Sequence, residues 1–170
     1  MRNYIFGLVS CVLYLTSCHY SNEYQTINAN NKFFITIPSW MKEDETLKEG
    51  ADFQYNNRFR NFYAIGESTD NAELRRTLAE TMHDNIEVIK KSMKNPVVSD
   101  STSITISGLG GLRAEIFGKM NNENIYFSEV LLEGKTKTYH LSIWTRGEDR
   151  KLRYKEDINK ILNSFREISQ

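Results

Sequence analysis

Cysteine is scarce in this chain: its only two, Cys11 and Cys18, fall within the first eighteen residues. A disulfide framework for the remainder is thereby excluded, and the fold must rest on its core. Neither sign of charge predominates. The 22 basic and 22 acidic residues are interspersed, which removes the electrostatic case for nucleic acid or for broad contact with anionic lipid. Long apolar runs are lacking too. The longest stretch, from Tyr4 to Leu15, is broken only by Gly7, Ser10 and Cys11, and about a dozen residues cannot cross a bilayer as a helix. Catalytic signatures are absent as well: there is no Cys-x-x-Cys, no His-Glu-x-x-His and no Gly-x-Ser-x-Gly. Gly108-Leu109-Gly110-Gly111 precedes a strand-like run and reads as a turn, not a phosphate loop. No cofactor and no enzymatic activity are implied.

What is present begins with a leader. Arg2 and the amino terminus give a short positive start, and Tyr4–Leu15 supplies the apolar segment of a secretion signal. It ends in Leu15-Thr16-Ser17-Cys18, which resembles the lipobox of bacterial lipoproteins. Small residues fit the peptidase cleft, and the Cys18 thiol is the nucleophilic atom that accepts diacylglycerol. The plainer alternative is an ordinary signal peptide with a chance cysteine. Cleavage after residue 17 removes Cys11, acylates Cys18 and leaves 153 residues carrying 21 basic and 22 acidic side chains. Two or more acyl chains, palmitate-like, hold such a protein stably on a membrane. His19, rather than Asp, follows the cysteine, which favours the outer over the inner membrane of the cell envelope.

Residues 18–31 are polar and read as a lipidated tether, or as one that packs in part on the domain. Residues 32–170 form a single domain. Lys32–Ile37 is rich in β-formers and ends at Pro38. Asp52–Tyr55 and Asn61–Gly66 flank Asn56-Asn57-Arg58 as a hairpin. Asp70 with Glu73 suggests a capping box, and Leu74, Leu78, Met82, Ile86, Ile89 and Met93 make one helical stripe that Asn95-Pro96 stops. Four strand-like runs follow, Ser101–Ser107, Leu112–Lys119, Ile125–Leu132 and Thr138–Thr145, separated by turns short enough to force antiparallel pairing. Tyr154, Ile158, Ile161, Leu162 and Phe165 mark a second amphipathic helix. The order β-β-β-α-β-β-β-β-α is α+β, a single antiparallel sheet of about six or seven strands sandwiched by helices.

Register follows from loop lengths. A three-residue loop at Asn121–Glu123 sets Leu112 beside Leu132, Ala114 beside Val130 and Ile116 beside Ser128. A two-residue loop at Gly134-Lys135 adds Tyr139 beside Val130, Leu141 beside Ser128 and Ile143 beside Tyr126. The opposite face then holds Phe117 beside Phe127 and Ile125 beside Trp144. It is too apolar for water, so a second helix covers it or a partner docks there.

Phe34-Ile35-Thr36-Ile37-Pro38-Ser39-Trp40, Ala51–Asn57, Phe62-Tyr63-Ala64-Ile65 and the closing Ile158–Phe165 together resemble small bacterial lipoproteins with a PsbP-like domain. The resemblance covers most of residues 32–168. It implies a sheet between helices and a protein-binding role, and it carries no catalytic residues.

Three histidines are present. His19 lies in the tether, and His83 sits one position off the helical stripe among Glu80, Asp84 and Glu87, as a solvated residue would. His140 lies, in the register above, across from Glu129, which lies across from Glu115. That row of two carboxylates and an imidazole suits a divalent metal, or one carboxyl with its pKa raised towards acid–base range. Separately solvated side chains are the plainer alternative. The leading expectation is a membrane-anchored accessory protein that binds an unidentified envelope protein. The alternative is a small-ligand or metal-binding module built on the sheet around Glu115, Glu129 and His140.

Overall fold

The computed structural model describes residues 23–147 and 149–168. The expected leader, Cys18 and His19 lie outside the described residues. No helix among the described residues is long and apolar enough to cross a membrane.

The chain opens with β1 (Tyr24–Ala29), which pairs antiparallel with β2 (Phe33–Pro38). Asn30 and Asn31 turn it with positive φ, a conformation asparagine tolerates. Most of the described part of the expected tether is thus a strand, because Tyr24–Ala29 finds a partner edge for its backbone groups. Next come β3 (Lys42–Glu43), β4 (Phe53–Asn57) and β5 (Phe62–Asp70), then α1 (Leu78–Lys91). The helix starts later than the stripe suggests. Thr77 is its N-cap, in a capping box with Glu80, while Asp70 ends β5 and Leu74 belongs to the turn between. After α1 follow β6 (Lys94–Val98), β7 (Thr102–Ile106), β8 (Leu109–Met120), β9 (Glu123–Glu133), β10 (Lys137–Arg146), α2 (Arg150–Asn163) and β11 (Arg166–Glu167).

The fold class is the expected α+β, with antiparallel strands and two helices, although the strands divide between two sheets. The main one has eight strands in the order β3-β4-β5-β10-β9-β8-β6, with β7 also pairing β8. A small one runs β1-β2-β11. On one face of the main sheet, β2 and α2 bury Phe33, Ile35, Ile37, Tyr154, Ile158 and Ile161 against Phe62, Val130, Leu132, Tyr139, Leu141 and Ile143. Gly66 in β5 makes room there: a side chain would begin 2.9 Å from the Phe33 ring. On the other face, Met82 and Ile86 of α1 pack on Ala114, Ile116 and Leu131.

One turn decides which residues share a face. Asn121 and Asn122 both have positive φ, so β8 and β9 are joined by a two-residue loop with Met120 opposite Glu123. Relative to a three-residue loop this slips β8 by one position and sends every β8 side chain to the other face. Leu112, Ala114 and Ile116 therefore face α1, and Phe117 packs beside Tyr126 on the α2 side. The β9–β10 turn falls on Lys135-Thr136, with Gly134 N–H bonded to the Lys137 carbonyl. That is a shift of two, so Tyr139, Leu141 and Ile143 keep their expected face, with Tyr139 opposite Leu132.

Candidate functional site: an aromatic row and a buried carboxylate–imidazole bridge

The α1 face of the sheet is only partly roofed, because α1 lies over β8 and β9. Alternation and register place one continuous row across this face: Lys42, Asn56, Tyr63, Trp144, Phe127, Ile116 and Val98. Ile116 is buried beneath α1, whereas Phe127, Trp144 and Tyr63 are half-buried. The Trp144 ring stacks on Tyr63 at 5.2 Å and on Phe127 at 5.7 Å, the planes tilted by only 8° and 18°. Such pairs contribute roughly 0.5–1.5 kcal/mol beyond area burial. The Arg146 guanidinium lies 5.8 Å from the Tyr63 centroid. The expected pairs on this face, Phe117 beside Phe127 and Ile125 beside Trp144, are replaced by Ile116 beside Phe127 and Phe127 beside Trp144.

Two residues further along the strands lies a charge cluster. His140 stands opposite Leu131 on β9 and opposite Glu67 on β5. Its Nε2 meets the Glu129 Oε2 at 2.6 Å, across a diagonal, and its Nδ1 lies 3.5 Å from the Glu67 Oε2. Ser142 donates to the other Glu129 oxygen, and Lys48 pairs with Glu67. Glu129 is wholly enclosed. Burial alone would pull the His140 pKa down, but the hydrogen bonds and charges of Glu129 and Glu67 push it up to about 9. The contact with His140, more than that with Lys48, holds the Glu67 carboxyl down at about 2.

This geometry separates the three expected site residues. Glu129 and His140 meet, although across a diagonal and not directly opposite as the row has it, but Glu115 sits opposite Ser128 on the other face of the sheet. There its carboxylate accepts from Lys151 at 2.6 Å and Arg113 at 3.3 Å, which, against the opposing effect of partial burial, hold its pKa below the usual range. The reason is the one-residue slip at Asn121-Asn122. The three-residue metal set is therefore not assembled. Among the described residues, no group of three or more His, Cys, Asp or Glu is arranged to hold a metal ion. Both ring nitrogens of His140 already face carboxylates, Nε2 that of Glu129 and Nδ1 that of Glu67. The cluster is a bridge: His140 and Lys48 face the two carboxylates, and His140 ties β5, β10 and β9 together. A pocket of about 220 Å³ lies against it, lined by Glu67, His140, Thr138, Thr81 and Asn85. His83 is exposed on α1, as the plain reading has it.

Sequence reasoning missed Glu67 and the aromatic row. Tyr63, Ile65, Glu67 and Thr69 do alternate along β5. However, the β5–β10 pairing joins segments some seventy residues apart, and no short loop sets its register.

No protein-family model matches the sequence, and no curated protein matches it. Solved structures do resemble the fold. The cyanobacterial PsbP of Synechocystis superposes with a TM-score of 0.61 at 12% identity, covering 90% of this chain and 98% of its own. The Saccharomyces cerevisiae Ran-binding protein Mog1p gives 0.59 at 11%, covering 88% and 97%. LpqN of Mycobacterium tuberculosis, described as involved in cell envelope biogenesis, gives 0.56 at 9%, covering 84% and 89%. The chain has the PsbP/Mog1-like fold. At such identities the likeness extends to fold alone.

Proposed function

We propose that this chain is an envelope lipoprotein, acylated on Cys18, whose domain is a non-catalytic module that binds a protein partner through the unroofed part of the α1 face. The observation that carries the reading is the stacked row Tyr63–Trp144–Phe127, half-buried beside α1. Rigid aromatic side chains anchored on a sheet lose little entropy when a partner covers them, and such residues dominate protein interfaces. The fold has the same use in one structural relative, a Ran-binding protein, and an envelope setting in another. The alternative, a ligand module at His140, is less well supported. Its pocket is small and its imidazole is already committed to two carboxylates.

Two variants test the proposal. Cys18→Ala should leave uncut precursor and abolish labelling by a palmitate analogue. The double variant Tyr63→Ser/Trp144→Ser should keep the lipid and the fold, yet lose a protein that the wild type retains when solubilised from its own membranes. Equal labelling of Cys18→Ala would remove the anchor. Unchanged capture by the double variant would remove the docking face.

A further inference from the structure

The most exposed large apolar side chain among the described residues is Phe59, 98% accessible at the tip of the β4–β5 hairpin. It sits between Arg58 and Arg60. Contacts on both sides of Phe59 hold the hairpin. Asn57 donates to the Trp40 carbonyl at 2.8 Å, and the Arg60 guanidinium lies 4.4 Å over the Trp40 ring. Arg58 pairs with Asp44 at 2.8 Å.

The same end of the molecule is where the amino-terminal segment leaves the domain. The Glu23 carbonyl accepts from the N–H of Ser39, the neighbour of Trp40. Glu23 lies five positions after Cys18, and a fully extended chain covers at most about 18 Å over that length. A lipid on Cys18 would therefore keep this end close to the bilayer.

The first turn of α2 lies here as well, with Arg150 donating to the Arg60 carbonyl at 2.5 Å. That turn carries Arg150, Lys151 and Arg153 and no acidic residue. Such an arrangement runs against the helix dipole, which favours anions at a helix start. Lys151 is paired with Glu115 and Arg150 is held by the Arg60 carbonyl, while Arg153 is exposed and able to meet an external anion. The acidic groups described nearby include Asp44, which pairs with Arg58, Asp149 at the helix start, Glu23, and Asp157 and Glu156 beside Tyr24.

We infer that the Arg58-Phe59-Arg60 tip, with the start of α2, is a membrane-contact surface that seats Phe59 at the headgroup–acyl boundary and the arginines on lipid phosphates. The inference rests on acylation of Cys18. One aromatic and a few cations would bind a bilayer only weakly from free solution, and the near-neutral chain has no broad attraction to it. A short tether changes this by raising the effective concentration to the millimolar range, about what weak local contacts require.

The mature chain would have no thiol other than the acylated Cys18, so a single fluorophore can be placed on Phe59→Cys, or on Val88→Cys in exposed α1 as a control. The lipidated protein is reconstituted in vesicles of phosphatidylethanolamine and phosphatidylglycerol, and the mass of its amino-terminal peptide reports acylation in the same sample. Expected is acylated Cys18, with blue-shifted emission quenched by brominated lipid at position 59 and neither effect at position 88. Acylated Cys18 without quenching at position 59 overturns the contact and leaves the anchor standing. A photo-crosslink from position 59 to a protein in native membranes overturns it in favour of a protein partner. Unmodified Cys18 removes the anchor and this surface with it.

Discussion

The two faces of the main sheet are built on different terms. The α2 face is closed mainly by apolar contact, with Phe33, Tyr139 and Phe165 rings meeting at 4.9–5.8 Å and ion pairs only at its margin. The α1 face is closed over β8 and β9 only; beyond that it carries stacked aromatics in partial contact with water and an ionic bridge around a fully buried Glu129. A face closed mainly by packing specifies a fold. A face that leaves rings half-exposed and encloses charges gives up stability that apolar residues would supply. On the proposed reading, the second face serves docking, and the first supplies most of the stability.

The largest effect belongs to the packed face. Phe165→Ala should lower stability by about 3–5 kcal/mol, a large share of a domain's marginal total. Phe165 is fully buried between Phe33 and Tyr139. A melting midpoint within a degree or two of wild type would show that the α2 face is not the main source of stability.

The bridge should come next. His140→Leu leaves Glu129 enclosed without its cation, and breaking a buried pair from one side costs about 3 kcal/mol. The pH dependence distinguishes charge from packing. The His140 pKa is raised from 6.5 to about 9, so its contribution is complete below pH 6.5 and is lost as pH rises through 9. The Glu67 pKa is lowered from 4.5 to about 2, so its contribution is complete above pH 4.5 and is lost as pH falls through 2. Wild type should therefore exceed His140→Leu most between pH 4.5 and 6.5 in thermal melts, with the gap narrowing towards pH 9. A gap independent of pH from 5.5 to 9.5 would mean that the imidazole only fills space.

How far each face was legible follows from where its information lies. The helical stripes place Met82, Ile161 and Phe165 in the core, and strand alternation places Leu141 there. These are local signals with a period. The contact of His140 with Glu129 was also legible, because an error of two in the β9–β10 turn preserves parity. Glu115 was misplaced because an error of one at Asn121-Asn122 does not. The Asn-Asn pair itself carried the sign, since two residues tolerant of positive φ favour the two-residue turn. Glu67 and the Tyr63–Trp144 stack depend on a pairing between β5 and β10 that no adjacent loop fixes. Strand β1 was hidden because its polar residues need only the β2 edge.

Glu115→Gln offers the smallest effect and a direct check on the assignment of faces. Its side chain is 27% exposed at the margin of the α2 face, where Lys151 and Arg113 reach it through partly exposed side chains. Ion pairs so open to water contribute about 1 kcal/mol or less, and the amide oxygen of glutamine can still accept from Lys151. The variant should melt close to wild type, with its small deficit appearing above the normal glutamate range and fading as pH falls, since the Glu115 pKa is lowered. Combined with His140→Leu, it should add independently, because the two sites lie on opposite faces and share no partner. A coupling energy above about 1 kcal/mol between them would place Glu115 in the His140 cluster after all and return β8 to the register of a three-residue turn.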